Sequence, residues 1–81
     1  MRKSIYSKEY KLFLRQLKAA REKAELTQKD VAKRIGETQS FVSKCERGER
    51  RIDIIELRAF CKAFKIPFLN YVKSFDRLLE K

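Results

Sequence analysis

The sequence predicts a small all-α domain of five helices. Gly occurs twice and Pro once, and each of them separates stretches in which apolar residues recur every three or four positions. Apolar residues make up 43% of the chain, which is enough for one core, and charged residues make up 40%, which predicts a densely charged surface. At 81 residues, the chain has room for a single domain, predicted to span 1–81.

The first helix is predicted from about Ser7 to Ala24, with Ser7 as its N-cap. Its apolar residues form one inward stripe at helical spacing. The stripe consists of Tyr10, Phe13, Leu14, Leu17, Ala20 and Ala24.

Two short helices are predicted next, at 27–35 and at 39–47. Thr27 with Asp30 resembles a capping box, and Gly36 can take the positive φ that ends a helix. Only the residues 36–38 link the two helices, and a link this short predicts a steep crossing angle between them.

The fourth helix is predicted at about 53–64 and the fifth at about 67–79, opened by Pro67 at its first position. Asp53 with Glu56 forms the capping pattern of the fourth helix. Its expected inward residues are Ile54, Leu57, Phe60, Cys61 and Phe64. In the fifth helix, the residues expected to complete the core are Phe68, Leu69, Val72 and Phe75, and those expected to form a self-association patch are Tyr71, Leu78 and Leu79.

Charge favours a polyanionic partner. The net charge is +10, and the first 51 residues hold 15 Lys and Arg against 7 Asp and Glu. Solubility alone is the alternative explanation of this excess. No apolar run is long enough for a membrane span or a signal peptide, so a cytoplasmic, nucleoid-associated location is expected.

Catalysis is not expected. The chain has no histidine, which removes the commonest general base and the commonest transition-metal ligand. Cys45 and Cys61 match neither a CxxC pair nor a metal-ligand spacing, and they are expected to be buried apolar residues. No enzyme activity, metal or cofactor is therefore predicted.

The outward face of the third helix has an unusual composition. Gln39, Ser40, Ser43 and Lys44 carry hydrogen-bonding groups at and just after the helix N-terminus. Gln can bridge adenine N6 and N7, Lys can donate to guanine O6 or N7, and Ser can serve either base. The face is therefore a candidate for reading base edges in the major groove.

Residues 21–69 resemble the helix-turn-helix domain of lambdoid phage repressors and Cro proteins, the xenobiotic-response-element (XRE) family. The matching residues are Arg21, Leu26-Thr27-Gln28, Val31-Ala32, Ile35-Gly36, Thr38-Gln39-Ser40, Val42-Ser43, Glu46-Arg47-Gly48 and Ile66. The resemblance implies a compact five-helix, lambda-repressor-like fold with the helix-turn-helix in helices 2 and 3. It also implies sequence-specific binding of double-stranded DNA by a repressor-like transcriptional regulator.

The resemblance also implies residue roles. The expected base contacts are Gln39, Ser40 and Lys44. The expected contacts to the DNA backbone are Gln28, Thr38, Ser43, Arg47, Arg50 and Arg51, and Gln28 is further expected to brace a base-reading residue. Arg21 and Glu46 are expected to form a structural ion pair.

Two positions depart from the family pattern. Phe41 stands where a small or polar residue is usual, and packing onto the second helix is favoured over contact with a thymine methyl group. Ile52 stands near a position that often holds proline, which affects only the geometry of the loop.

The sequence is compatible with more than one protein partner for the C-terminal helix. A homodimer through the C-terminal helix is favoured, because it would set two recognition helices about 34–36 Å apart on DNA. The alternative is an antitoxin or protein-interaction module that uses the same fold, with the C-terminal helix as the surface for a protein partner. Nonspecific coating of nucleic acid is disfavoured, because the aromatic residues fall at core spacing and form no stacking platform.

Overall fold

The computed structural model describes residues 7–80, which form five α-helices joined by short turns. The helices are α1 (Lys8–Lys23), α2 (Gln28–Ile35), α3 (Gln39–Glu46), α4 (Ile54–Phe64) and α5 (Phe68–Leu79). The all-α class predicted from the sequence is confirmed. Within the described residues, no helix combines the length and the apolar character needed to cross a membrane.

A side-chain oxygen caps the N-terminus of each of the first four helices. The capping residues are Ser7, Thr27, Thr38 and Asp53, as the sequence predicts. Thr27 and Asp53 each take part in a complete capping box, because the side chain three residues later accepts from the backbone N–H of the cap. Pro67 occupies the N-cap of α5 instead of the predicted first helical position, and α5 begins one residue later.

Two glycines end the helices of the central pair. Gly36 closes α2 with φ 74°, in the left-handed region where a side chain is disfavoured. Gly48 follows α3 with φ 79°, and a Cβ atom there would lie 3.0 Å from Cδ1 of Leu14. Gly48 is therefore required both by the turn and by the close approach of α1.

The core lies where α2 and α3 pack against α1 and α4. Its buried apolar residues are Phe13, Leu17, Val31, Ala32, Val42, Cys45, Ile52, Phe60, Cys61, Ala63, Phe64 and Tyr71. Burial raises the pKa of the Cys45 thiol to about 11, and it does the same for the Cys61 thiol. The expectation that both cysteines are buried apolar residues is confirmed, and both thiols are free.

Four predictions about apolar positions on α4 and α5 are wrong. Ile54 is 67% exposed instead of inward, because the burial of α4 is concentrated in its second half, and Ile55 in the same first turn is also exposed. Leu69 and Val72 are also exposed instead of buried, whereas Tyr71 is only 3% exposed and belongs to the core. The reason is rotational: α5 turns the side with Phe68, Tyr71 and Phe75 inward, and it leaves the adjacent apolar side outside.

Candidate nucleic-acid interface

The outward side of α3 presents polar side chains to solvent. Gln39, Ser40 and Lys44 are exposed, whereas Val42 and Cys45 on the opposite side are fully buried. The apolar residues hold the helix against the protein, so the amide, hydroxyl and ammonium groups project away from it. The three residues expected to contact bases therefore share one accessible surface.

Thr38 stands at the start of this surface. Its Oγ1 accepts from the backbone N–H of Phe41 at 3.0 Å, so the hydroxyl caps α3. A hydroxyl that accepts one hydrogen bond can still donate its own proton. The predicted contact of Thr38 with a phosphate is therefore compatible with its capping role.

Arg21 and Glu46, expected as an ion pair, are in contact across α1 and α3. Arg21 Nε donates to Glu46 Oε2 at 2.6 Å, and Nη2 donates to Oε1 at 3.1 Å. The side chains are only 11% and 5% exposed. The hydrogen bond to Glu46 raises the pKa of Arg21 above its usual value. The pair fixes the C-terminal end of α3 to α1.

Gln28 joins the same cluster. Its Nε2 donates to Glu46 Oε1 at 3.1 Å, and Arg21 Nη1 donates to the Leu26 carbonyl at 2.9 Å. In the structure, Gln28 thus braces the ion pair and not a base-reading side chain. Its contact with a phosphate remains a prediction.

Ser43 and Arg47 lie together at the end of α3, where the sequence predicts contacts to the DNA backbone. Arg47 Nη1 donates to Ser43 Oγ. The same guanidinium donates to both carboxylate oxygens of Glu49, from Nε at 2.7 Å and from Nη2 at 3.3 Å. These hydrogen bonds raise the pKa of Arg47 and lower the pKa of the Glu49 carboxyl.

Glu49 was not among the residues selected from the sequence. The available signal was its position as an acid between Arg47 and Arg50, within an otherwise basic stretch. Glu49 also lies close to Lys44, since its backbone N–H donates to the Lys44 carbonyl at 2.9 Å. The candidate interface therefore contains one carboxylate beside two of its cations.

Arg50 is held by its neighbours. Its guanidinium donates to Glu56 Oε1 and lies 2.9 Å from Oε2, and it donates to the Arg51 carbonyl at 3.0 Å. It also lies over the Phe41 ring, 4.6 Å from the centroid. Arg50 was predicted as a contact to the DNA backbone, and these bonds would restrict its reach. Arg51 is exposed beside it.

Phe41 packs against the core, as the sequence favours, and its ring contact is with α4. Its ring stacks on Phe60 with centroids 6.5 Å apart and an angle of 11° between the rings. A second link missed by the sequence joins α2 to α4, because Arg34 Nη1 donates to the Ala63 carbonyl at 2.8 Å. Both contacts hold the central helix pair in place.

Within residues 7–80, no group of three or more His, Cys, Asp and Glu side chains is arranged to hold a metal ion. The outward side of α3 and the turn after it offer hydrogen-bond donors, acceptors and positive charge. Long cationic and amide side chains beside a short exposed helix suit contact with the edges and phosphates of a nucleic acid.

The chain is similar to a known sequence family and to a solved structure. A helix-turn-helix family model matches residues 17–69, a range that includes all of α2 and α3. One similar solved structure is an XRE-family like protein from Pseudomonas syringae pv. tomato str. DC3000. It is 38% identical, the match covers 94% of this chain and 93% of that chain, and the TM-score is 0.85. No curated protein matches the sequence.

Proposed function

This chain belongs to the Cro/C1-type helix-turn-helix family, and from that premise we propose that it binds specific double-stranded DNA sequences as a repressor-like regulator. Family membership supports DNA binding of the transcription-regulator type. In this proposal, α3 enters the major groove, and the protein acts at the nucleoid in the cytoplasm. The proposed role is that of a non-enzymatic regulator.

The exposed polar side of α3 carries the proposal. Gln39, Ser40 and Lys44 would contact base edges, because each has donors or acceptors that match the pattern in the major groove. The side chains proposed to contact phosphates surround them. These are Gln28, Thr38, Ser43, Arg47, Arg50 and Arg51. The side chains of the first five make hydrogen bonds within the protein, whereas Arg51 takes part through its backbone carbonyl.

We expect Gln39→Ala to remove part of the discrimination between duplexes. The preference for a duplex selected from a random pool, relative to random-sequence DNA, should fall by about 1–3 kcal/mol, because one bidentate base contact is lost. Fluorescence anisotropy with both duplexes at one fixed salt concentration measures the change. Arg51→Ala is the control, and it should weaken both complexes equally. Equal losses on both duplexes for Gln39→Ala would argue for nonspecific coating.

A homodimer through α5 is part of the proposal. Leu69, Val72 and Leu79 are exposed along one side of this helix, and we call them the outer stripe. Burying an apolar stripe against its own copy is favourable, and a two-fold pair would present two copies of α3 about 34–36 Å apart, one turn of DNA.

Sedimentation at micromolar concentration tests the dimer. We expect a dimer of the 9.7 kDa chain, and we expect Val72→Asp to convert it to the monomer, because a charge would be buried in the apolar contact. Ile55→Ser is the control, since it removes an apolar residue that is even more exposed, at 74% against 39% for Val72, but lies on α4. A wild-type chain that sediments as a monomer would contradict the dimer.

The outer stripe also favours a second candidate function. A protein-interaction module, such as an antitoxin, would use the stripe to bind another protein and would not require base reading. A wild-type chain that shows no preference among duplexes would support this alternative over the regulator.

A further inference from the structure

Glu49 introduces a negative charge into the basic surface at the end of α3. Both of its carboxylate oxygens accept from Arg47, and both side chains are 54% exposed. An ion pair this exposed contributes little to folding, because water screens it and two flexible side chains must be held. Stability therefore does not explain why an acid lies here.

The contact with Glu49 occupies the donors that a phosphate would use. A guanidinium binds carboxylate and phosphate with the same planar, two-pronged arrangement of N–H groups. In Arg47, the Nε and Nη2 groups are both directed at Glu49, and Nη1 is directed at Ser43. A DNA phosphate that binds Arg47 through the same Nε and Nη2 edge must displace the carboxylate.

We propose that Glu49 competes with DNA phosphates for Arg47 and thereby lowers the affinity of the protein for every duplex. The inference rests on the proposed DNA-binding function and deepens it by assigning a residue that limits affinity. The effect falls on affinity and not on the choice of bases, since phosphates carry no direct sequence information.

The second acidic residue of this region has a different role. Glu56 accepts from Arg50, but it also accepts from the backbone N–H of Asp53 at 3.0 Å as part of the capping box of α4. Arg50 is in turn stacked on Phe41. Removing Glu56 would disturb the start of α4, whereas the Glu49 side chain caps no helix. The competition is therefore assigned to Glu49 alone.

The test measures the affinity of Glu49→Gln for a selected duplex and for random-sequence DNA at several salt concentrations. We expect about two- to fivefold tighter binding to both duplexes, the range that the loss of one exposed charge contact produces. The slope of log affinity against log salt should steepen by about 0.9, because one more phosphate is neutralised. Glu49→Asp keeps the charge and should not reproduce the gain.

A double-mutant cycle shows whether Arg47 transmits the effect. In the Arg47→Ala background, Glu49→Gln should gain clearly less than it does in the wild type. A full gain without Arg47 would overturn the proposal, because Glu49 would then act on DNA directly. Weaker binding of the single variant would also overturn it and would make Glu49 a positioning residue for Arg47.

Glu22→Gln provides the charge control. Glu22 is exposed on α1, and its replacement changes the net charge by the same amount as Glu49→Gln. An equal gain from this variant would reduce the effect to net charge and would contradict the role assigned to Glu49. A wild-type chain that binds DNA while Glu49→Gln gains nothing would reject this inference alone. A wild-type chain that binds no duplex would reject the proposed function itself.

Discussion

Replacing Arg21 with alanine should lower the free energy of unfolding by about 3–5 kcal/mol, because it leaves a carboxylate without its cation in a nearly dry position. The Glu46 side chain is only 5% exposed, and it would keep only the amide of Gln28 as a donor. Small domains unfold at a total cost of about 5–15 kcal/mol, so this loss is a large share of the whole. Urea denaturation followed by circular dichroism measures it.

Arg47→Ala is the matched control for this experiment. It also removes an arginine paired with a glutamate, but both partners are 54% exposed, so the unfolding midpoint should barely move. Arg21→Lys keeps the charge without the two-pronged geometry and should fall between Arg21→Ala and the wild type. Similar midpoints for Arg21→Ala and Arg47→Ala would show that the pair between α1 and α3 does not stabilise the fold.

Phe60→Ala should also cost about 3–5 kcal/mol, because it opens a cavity in the part of the core that supports α3. Phe60 is 1% exposed and lies between the rings of Phe41 and Phe64, with centroid distances of 6.5 and 6.1 Å. Thermal or urea denaturation measures the loss. We expect the milder Phe60→Leu to keep the fold, so that DNA affinity can be measured as well, and to weaken binding by loosening Phe41 and Arg50.

Ile55→Ala is the control on the same helix. Ile55 is 74% exposed, so its truncation should change stability by no more than about 0.5 kcal/mol. A loss for Phe60→Ala as small as that for Ile55→Ala would mean that the ring cluster is not a supporting part of the core.

The ends of the helices could be predicted closely because their causes are local. A Ser, Thr or Asp side chain at each of the first four N-caps and a glycine after α2 act on neighbouring residues and need no knowledge of the rest of the fold. The exposed side of α3 could be predicted for the same reason, since the spacing of Val42 and Cys45 fixes which side faces inward.

The rotation of α5 could not be decided by periodicity alone, because the helix carries two neighbouring apolar stripes. One contains Phe68, Tyr71 and Phe75, and the other contains Leu69 and Val72. The second stripe meets Asp76 at the next helical turn, and a charged residue in line with it indicates a side that lies outside the core of the chain. The position of Asp76 argued against burial of this side, but the apolar character of Leu69 and Val72 argued for it, and periodicity could not decide between the two.

The pairings within the candidate site depend on the path of the chain and lie beyond pattern reasoning. Glu49 reaches Arg47 because the positive φ of Gly48 turns the backbone and returns the Glu49 N–H to the Lys44 carbonyl. The partners of Arg50 come from α3 and α4, whose relative placement is set by packing. The family resemblance implied roles for Arg47 and Arg50 and the pairing of Arg21 with Glu46, whereas Glu49 and Glu56 as carboxylate partners required the folded geometry.

The burial of the two cysteines should make the native protein react slowly with oxidising and alkylating reagents. With a pKa of about 11, only about one thiol in ten thousand is ionised at neutral pH, and the thiolate is the reactive species. Reagents can then attack only molecules that have opened. Because Cys45 lies on α3 and Cys61 lies on α4, their relative rates of attack would distinguish local detachment of α3 from unfolding of the whole chain.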